Sequence, residues 1–366
     1  MPNLRLPKER QRSFWSQIRE LSHVARDWLR KVRRSARKAL MVDEAAAALR
    51  RTRIMIVYAA VQHACRGCRI AVFGRAIGSF SRPPSPNGAN VCEINSLAEF
   101  DAGCARLAPL LGQLPKPRSP GELEFLQSVP RRRKIYYAGS IGPKCYLFLT
   151  AVTGILAPAR VVEIGTLTGF STGLIAAALA HSHGSKRANC VDTIDRLAQC
   201  AVDQTRPTGF EISEVFGEFA SMIRVHAPKD ARFVSQIAEL NELELAFIDA
   251  DHRHPMPLLD LLQLAPSMRP ASWVLLHDTR LGTLTRQALD AGYKPIFRPA
   301  YGAEWLFAHW PFRKISGGNI GAVQLPVEKG ALIPFAVRMM TIPFEIPDKL
   351  KYATRTALYE SLGALC

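Results

Sequence analysis

Two apolar stretches of the sequence end in side chains that could carry out chemistry. Residues 245–248 lead into Asp249-Ala-Asp-His, and a later apolar run ends in His277-Asp278. Short apolar runs of this kind are typical of buried strands. The carboxyl ends of parallel strands form the edge of a sheet at which ligands bind, so we expect both groups to meet there. Carboxylates and imidazoles together can accept a proton from a substrate or bind a metal ion.

Histidine is the side chain that exchanges a proton most readily near neutral pH. We therefore predict His252 as the general base of this site, with Asp249 and His277 as the other catalytic residues. The alternative for each histidine is a structural role, in which the ring supports the end of a strand.

An acidic residue and two glycines follow an earlier apolar strand. Residues 161–172 contain Glu163, Gly165 and Gly169 in the spacing Glu-x-Gly-x-x-x-Gly. The glycines allow a ligand to approach the backbone, and the following helix N-terminus offers free N–H groups. The spacing departs from the Gly-x-Gly-x-x-Gly of dinucleotide-binding turns. A carboxylate at this turn suits a cationic nucleoside without phosphate better than a pyrophosphate.

A further acidic pair follows the second strand, which we predict at 188–192. A carboxylate at the end of this strand could accept hydrogen bonds from both hydroxyls of a ribose. We predict Asp192 in this role, with Asp195 in reserve. Either residue could instead cap a helix.

The order and spacing of these motifs resemble the class I methyltransferases that use S-adenosylmethionine (SAM), in particular methyltransferase family 24 of the O-methyltransferase branch. The resemblance covers about residues 121–326. It implies that Asp192 holds the ribose and that residues 249–252 face the transferred methyl group. It also implies a set of residues around the methionine and adenosine parts of SAM, namely Glu163, Gly165, Thr166, Gly169, Ser171 and Thr172.

A second resemblance raises the question of a metal ion. Cation-dependent O-methyltransferases of the catechol and caffeoyl-CoA kind have similar strand ends, at which two aspartates bind a divalent ion. The corresponding residues here are Asp249 and Asp278, whose oxygens would suit Mg²⁺. This chain has Thr279 where those enzymes have Asn and His252 where they have Lys. A Mg²⁺ site therefore stands as an alternative to a histidine base.

Apolar strands alternate with helical segments beyond residue 142. This alternation predicts an α/β fold, a Rossmann-like, doubly wound and mostly parallel sheet with helices on both faces. The predicted helices are 144–156, 172–180 and about 212–220, and the strands are 160–164, 188–192, 222–226, 245–249, 273–277, 295–298 and 305–308. We place the methyltransferase domain at 121–330, after a basic, mainly helical extension with Pro-rich linkers at 1–120 and before a helical tail at 331–366.

The positive charge of the chain is concentrated near its N-terminus. The net charge is +17, and residues 1–82 hold 19 Lys and Arg against 5 Asp and Glu. Apolar residues between 14 and 32 recur at helical spacing between arginines, which predicts a basic amphipathic helix. Such a helix could contact an anionic membrane or another polyanion, or dock on its own domain or on a second subunit of a homodimer. A second helix is expected at 43–60.

Three further features of the sequence remain. No secretory segment and no membrane-spanning segment is predicted, so we expect a cytoplasmic protein with peripheral membrane contact as an option. Cys65 and Cys68 form at most half of a zinc site. The basic run 131–134 could contact an anionic substrate or lie in solvent.

The function expected from these observations is SAM-dependent O-methylation of a small molecule or of a sugar hydroxyl, on a glycan or a lipid-linked precursor. One alternative is an NAD-dependent oxidoreductase, which the glycine spacing disfavours. The other is a membrane- or polyanion-binding protein that retains a methyltransferase fold without catalysis.

Overall fold

The computed structural model describes residues 88–115, 117–184, 186–295 and 298–365. The helices predicted at 14–32 and 43–60, and the pair Cys65 and Cys68, lie outside the described residues. Within the described residues, no helix is both long enough and apolar enough to span a bilayer.

The described residues form one eight-stranded sheet and a separate two-stranded one. The large sheet has the order β1-β9-β10-β8-β7-β2-β3-β6, and β4 pairs with β5. The strands are β1 (Asn90–Val91), β2 (Val161–Ile164), β3 (Val191–Ile194), β4 (Gln199–Cys200), β5 (Asp203–Pro207), β6 (Ile223–His226), β7 (Leu243–Ile248), β8 (Met268–His277), β9 (Lys314–Ser316) and β10 (Ile320–Gln324).

The helices connect these strands and cover the sheet. They are α1 (Phe100–Leu110), α2 (Pro120–Arg132), α3 (Pro143–Leu156), α4 (Phe170–His183), α5 (Glu211–Val215), α6 (Val234–Ile237), α7 (Met256–Leu264), α8 (Leu281–Asp290), α9 (Gly302–His309), α10 (Leu332–Met339) and α11 (Asp348–Gly363).

The central strands β6, β3, β2, β7 and β8 are parallel, and β10 runs antiparallel to β8. The chain moves outward from β2 through β3 to β6, and then returns to the other side of β2 with β7. The strand order therefore reverses between β2 and β7. In open parallel sheets this reversal opens a crevice at the carboxyl ends of the strands.

The strand register sets the position of the first residue after each strand. Ile164 is paired with Ile194 on one side and with Ile248 on the other. Since these three residues end their strands at one level, Gly165, Asp195 and Asp249 follow at the same edge of the sheet.

Helices pack against both faces of the sheet. Side chains of α3 and α4 form one apolar cluster with Phe247 of β7. The neighbours of Phe247 point to the opposite face, because side chains alternate along a strand. Helix α7 contacts β7, and its buried leucines do not belong to that cluster. The predicted Rossmann-like, mostly parallel sheet is confirmed.

Residues before position 120 contribute to the same core. Strand β1 pairs with β9, and Phe100 and Leu107 of α1 are fully buried in the cluster that contains α3. The domain boundaries at 120 and 330 stay predictions, but packing extends across the first of them.

Several element predictions need correction. Residues 305–308, predicted as a strand, lie in helix α9. They form a short, continuous apolar run, which does not distinguish a strand from a buried helix. Strands β9 and β10 were not predicted. The second strand, predicted at 188–192, is Val191–Ile194, two residues further at its carboxyl end. Residues 296 and 297 of the strand predicted at 295–298 lie outside the described residues, and its ends have no regular structure.

Candidate active site

The turn between β2 and α4 contains both glycines of the first motif. Gly165 has φ +103° and Gly169 has φ +87°, a region that favours glycine. A Cβ on Gly165 would clash with the carbonyl oxygen of Asp249, and one on Gly169 would lie 2.6 Å from Ile212 Cγ1. The glycines are therefore required for close packing of neighbouring loops, a reason that the sequence motif alone did not reveal.

Glu163 lies behind this turn. Its carboxylate is fully buried and accepts hydrogen bonds from Ser171 Oγ at 2.5 Å, Thr193 Oγ1 at 2.6 Å and Thr172 Oγ1. Burial raises the pKa of Glu163 to about 7, although the three hydroxyl donors act in the opposite direction. Glu163 thus connects β2 and β3 to the start of α4.

Replacing Glu163 by glutamine should change how stability depends on pH. A carboxyl group whose pKa rises from 4.5 to about 7 on folding stays protonated in the folded chain after it has ionised in the unfolded chain. The parent protein should therefore lose roughly 3 kcal/mol of stability relative to Glu163→Gln as the pH rises from 4.5 to above 7. Urea unfolding of both proteins at pH 5 and pH 8 measures this difference. If the difference in unfolding free energy between the parent and Glu163→Gln were the same at pH 5 and pH 8, the prediction would be contradicted.

A cavity of about 500 Å³ lies at the carboxyl edge of the sheet. It is lined by the loops that follow β2, β3, β6 and β7, and by residues 138–141 from outside the sheet. Of the residues that the sequence assigned to a cofactor, Gly165, Thr166 and Ser171 line this cavity. The others, Glu163, Gly169, Thr172 and Asp192, are not among the lining residues.

Asp192 lies away from the cavity, which corrects the predicted position of its carboxylate at a strand end. It is the second residue of β3, fully buried, and bonded to the side chains of Arg160, Arg224 and His226 at 2.7–2.8 Å. Burial acts to raise the pKa of Asp192, but these hydrogen bonds hold it below its ordinary value. Because β3 continues for two more residues, Asp195 takes the place at the strand end.

Asp195 lines the cavity, in a fixed orientation. Its two carboxylate oxygens accept hydrogen bonds from the backbone nitrogens of Leu167, at 3.0 Å, and Leu197, at 2.9 Å. Leu167 itself has φ +47°, an uncommon conformation for a leucine. The carboxylate of Asp195 therefore also holds the glycine turn in place.

Asp249, His252, His277 and Asp278 lie together, as predicted from the two strand ends. His277 Nδ1 is 2.9 Å from Asp249 Oδ1, and His252 Nε2 is 3.2 Å from Asp278 Oδ2 and 3.7 Å from Asp249 Oδ1. Asp278 has φ +58° and accepts a hydrogen bond from Asn319 Nδ2 at 2.6 Å. Asn319 lies between β9 and β10, which were not predicted, so its role in the cluster was missed.

The two histidines differ in environment. His277 is buried, and burial acts to lower its pKa, but the carboxylates of Asp249 and Asp278 hold that pKa well above its ordinary value. The two carboxylates therefore favour the protonated form of His277, which makes this ring a weaker candidate for the general base. His252 is partly exposed and lines both this cavity and a second one.

Asp249, His252 and Asp278 could offer one ligand atom each to a metal ion, since these atoms lie within 4.8 Å of one another. Mg²⁺ prefers an octahedron of oxygen ligands. Here one of the three candidate ligands is an imidazole, Asp249 is already paired with His277 Nδ1, and Asp278 accepts a hydrogen bond from Asn319. The residues therefore do not fit Mg²⁺ well.

Residues 133–141 form a strap beside the first cavity. Arg133 Nε is 2.8 Å from Glu211 Oε1, and both side chains are buried. The Arg133 guanidinium also donates to Ser140 Oγ at 2.7 Å and lies 3.9 Å from the ring centre of Phe170. The sequence suggested substrate contact or solvent for the run 131–134, and Arg133 does neither. No local signal distinguished Arg133 from its exposed neighbours.

The second cavity, about 680 Å³, adjoins the first and shares Gly139, Ala250, Asp251 and His252 with it. Its wall includes residues 298–300 and 345–348. The Glu345 carboxylate accepts hydrogen bonds from the backbone nitrogens of His254 and Tyr301. The C-terminal region, predicted as a separate tail, therefore forms part of the site.

The chain was compared with protein families, curated proteins and solved structures. Residues 162–279 match a family model described as a methyltransferase domain. A search of curated proteins finds no match.

Three of the solved structures that resemble this chain cover 58–63% of it. The O-methyltransferase from Bacillus cereus, in complex with SAH, has 18% identity over 63% of this chain and 100% of that chain, with TM-score 0.36. The O-methyltransferase TomG from Streptomyces achromogenes, in complex with SAM, has 14% identity over 58% and 84%, with TM-score 0.32. The SAH-bound methyltransferase PaMTH1 from Podospora anserina has 13% identity over 62% and 93%, with TM-score 0.38.

These TM-scores are too low to add to the fold assignment, which the sheet order of this chain establishes by itself. The family match covers β2 through β8 and both strand ends that contain the clustered acids and histidines. The resemblance found in the motifs is thereby confirmed. Residues 162–279 of this chain are thus similar to a methyltransferase domain and lie within a Rossmann-like sheet.

Proposed function

We propose that this protein transfers a methyl group from SAM to a hydroxyl of a small molecule or a sugar. The observation that carries the proposal is the pair of adjoining cavities. One lies at the strand ends where a nucleoside can bind, the other lies beside it, and His252 lines both. A methyl donor and an acceptor bound in the two cavities would meet at the cluster of Asp249, His252 and Asp278.

The first cavity has features that suit SAM. Asp195 offers two carboxylate oxygens for a ribose diol, and Gly165 and Thr166 expose backbone close to the cavity. Asp249 lines the cavity at the strand-order reversal, where ligands bind in open parallel sheets. When bound, SAM supplies an electrophilic methyl group on its sulfonium.

His252 is the residue that would take the proton of the acceptor hydroxyl. With its Nε2 hydrogen directed at Asp278, the neutral ring keeps Nδ1 as a free acceptor. Asp278 would then stabilise the imidazolium that forms. His277 would hold Asp249 in position through its Nδ1. Methyl transfer gains most from holding the two reactants in line, which the shared wall of the two cavities would do.

Removing the carboxylate of Asp195 should weaken SAM binding by about ten- to a hundredfold, because hydrogen bonds to a charged group are lost. Isothermal titration calorimetry of the parent and Asp195→Ala with SAM measures the effect. Asp203→Ala, which removes an acid from β5 outside the cavity lining, should bind SAM as the parent does. Titration of the parent with NAD should give no binding. If Asp195→Ala retained the parental affinity, or if NAD bound and SAM did not, the proposal would be wrong.

Chelation should leave the reaction intact. Because Asp249 is already paired with His277 and one of the three candidate ligands is an imidazole, we expect methyl transfer in EDTA to stay within about twofold of the untreated rate, with no stimulation by added Mg²⁺. The measurement is transfer of label from SAM to a hydroxyl acceptor after EDTA treatment and desalting. Loss of transfer in EDTA that Mg²⁺ restores would establish a metal at Asp249 and Asp278.

A further inference from the structure

Asp260 is a buried acid that no step described so far uses. It lies in the middle of α7 and is 5% exposed, and its side chain lines the first cavity. Helix α7 packs against residues Ala231–Phe233, directly after the loop that follows β6. Asp260 therefore lies near the part of the cavity that the loop after β6 forms.

Among the described residues, Asp260 differs from every other acid that lines this cavity. Asp230 is paired with Arg232, and Asp251 with Arg253, in both cases through the guanidinium and the backbone nitrogen. Asp195 accepts two backbone hydrogen bonds, and Asp249 is paired with His277. No described residue donates a hydrogen bond to the carboxylate of Asp260.

An unpaired buried carboxylate is costly. Burial raises the pKa of Asp260 to about 7, and only the more distant charge of Arg196 acts against this. A ligand that donates a hydrogen bond to the Asp260 carboxylate would offset this free-energy cost. Because the side chain lines the cavity, that ligand is whatever the cavity binds.

The position of Asp260 along the cavity indicates which part of the ligand it would contact. The strands β7, β2, β3 and β6 are successive neighbours, and the loops after all four line the cavity. If Asp195, after β3, holds the ribose, the sulfonium side extends towards β2 and β7. The base then extends towards β6, where Asp260 lies. The 6-amino group is the N–H donor on the base edge of adenine.

We propose that Asp260 recognises the 6-amino group of the adenine of SAM and selects adenine at this site. This inference rests on the proposed binding of SAM. It assigns the specificity for adenine to a residue on helix α7, which lies outside the loops that follow the strands.

The test compares two ligands on three proteins. The ligands are S-adenosylhomocysteine and its analogue with purine in place of adenine, which lacks only the 6-amino group. Calorimetry should show that the parent binds the adenine compound at least about tenfold more tightly than the purine analogue. Asp260→Ala should bind both compounds with the affinity that the parent has for the analogue. Asp203→Ala, which removes an acid outside the cavity lining, should keep the parental preference.

The outcomes distinguish a failure of this inference from a failure of the proposed SAM binding. If the parent binds neither compound, SAM binding itself is wrong. If the parent binds both equally, or if Asp260→Ala weakens both by the same factor, Asp260 does not read the base. Loss of the preference in Asp203→Ala would have the same meaning. Asp260→Asn keeps an acceptor oxygen at the same place and should retain part of the preference, so it serves if the alanine variant does not fold.

Discussion

Arg133→Met is expected to destabilise the protein by about 3–5 kcal/mol, because it leaves the Glu211 carboxylate buried without its partner. The side chains of Arg133 and Glu211 are 1% and 3% exposed. Arg133 also holds Ser140, so the strap beside the cavity should loosen and the affinity for SAM should fall. Urea unfolding followed by circular dichroism measures the loss of stability.

Arg132→Met is the matched control. Arg132 forms an ion pair with Glu218, but these side chains are 35% and 41% exposed. An exposed pair of this kind contributes about 0–1 kcal/mol, so this variant should differ little from the parent. The double variant Arg133→Met, Glu211→Leu removes both buried charges and should recover most of the lost stability. Equal losses in the Arg132 and Arg133 variants would show that burial does not determine the effect.

His252→Ala is expected to lower kcat by about a hundredfold to ten-thousandfold, the usual contribution of a general base. Its affinity for SAM should change little, because Asp195 and the glycine turn remain. The measurement is transfer of labelled methyl from SAM to whichever phenolic or sugar hydroxyl the parent methylates in a panel of acceptors.

Two further observations distinguish a base from a structural histidine. Added imidazole should restore part of the activity of His252→Ala, because it can take the proton in place of the missing ring. His183→Ala, at the end of α4 and outside both cavities, should match the parent. A His252→Ala protein with at least about one third of the parental kcat would exclude a base at this position.

The clustering of Asp249, His252, His277 and Asp278 could be predicted because it depends on short-range information. Asp249 and His252 follow β7, His277 and Asp278 stand at the end of β8, and parallel neighbouring strands end at one edge. The metal ligands and the base could not be told apart in this way. That distinction depends on the pairing of Asp249 with His277, which forms only when β7 and β8 lie side by side.

Asp192 and Asp195 show how a small error in a strand end changes a residue's role. Side chains alternate between the two faces of a sheet, and only the residue after the last pair reaches its edge. The strand proved to extend to Ile194, so Asp192 is buried between three cationic or imidazole groups and Asp195 reaches the cavity. Local composition does not determine where pairing with β2 and β6 stops.

By itself, the sequence determined the α/β class, the methyltransferase motifs and the edge of the sheet at which acids and histidines gather, because strand periodicity and strand-end residues are local properties. Only the tertiary structure decided which groups are buried, paired or open to a cavity. Arg133 is buried by contacts with Glu211 and Phe170, Glu345 reaches the site from the C-terminal region, and Asp260 faces the cavity from α7. These environments depend on residues far apart in the chain, and burial and charge pairing between such residues set the chemistry of each group.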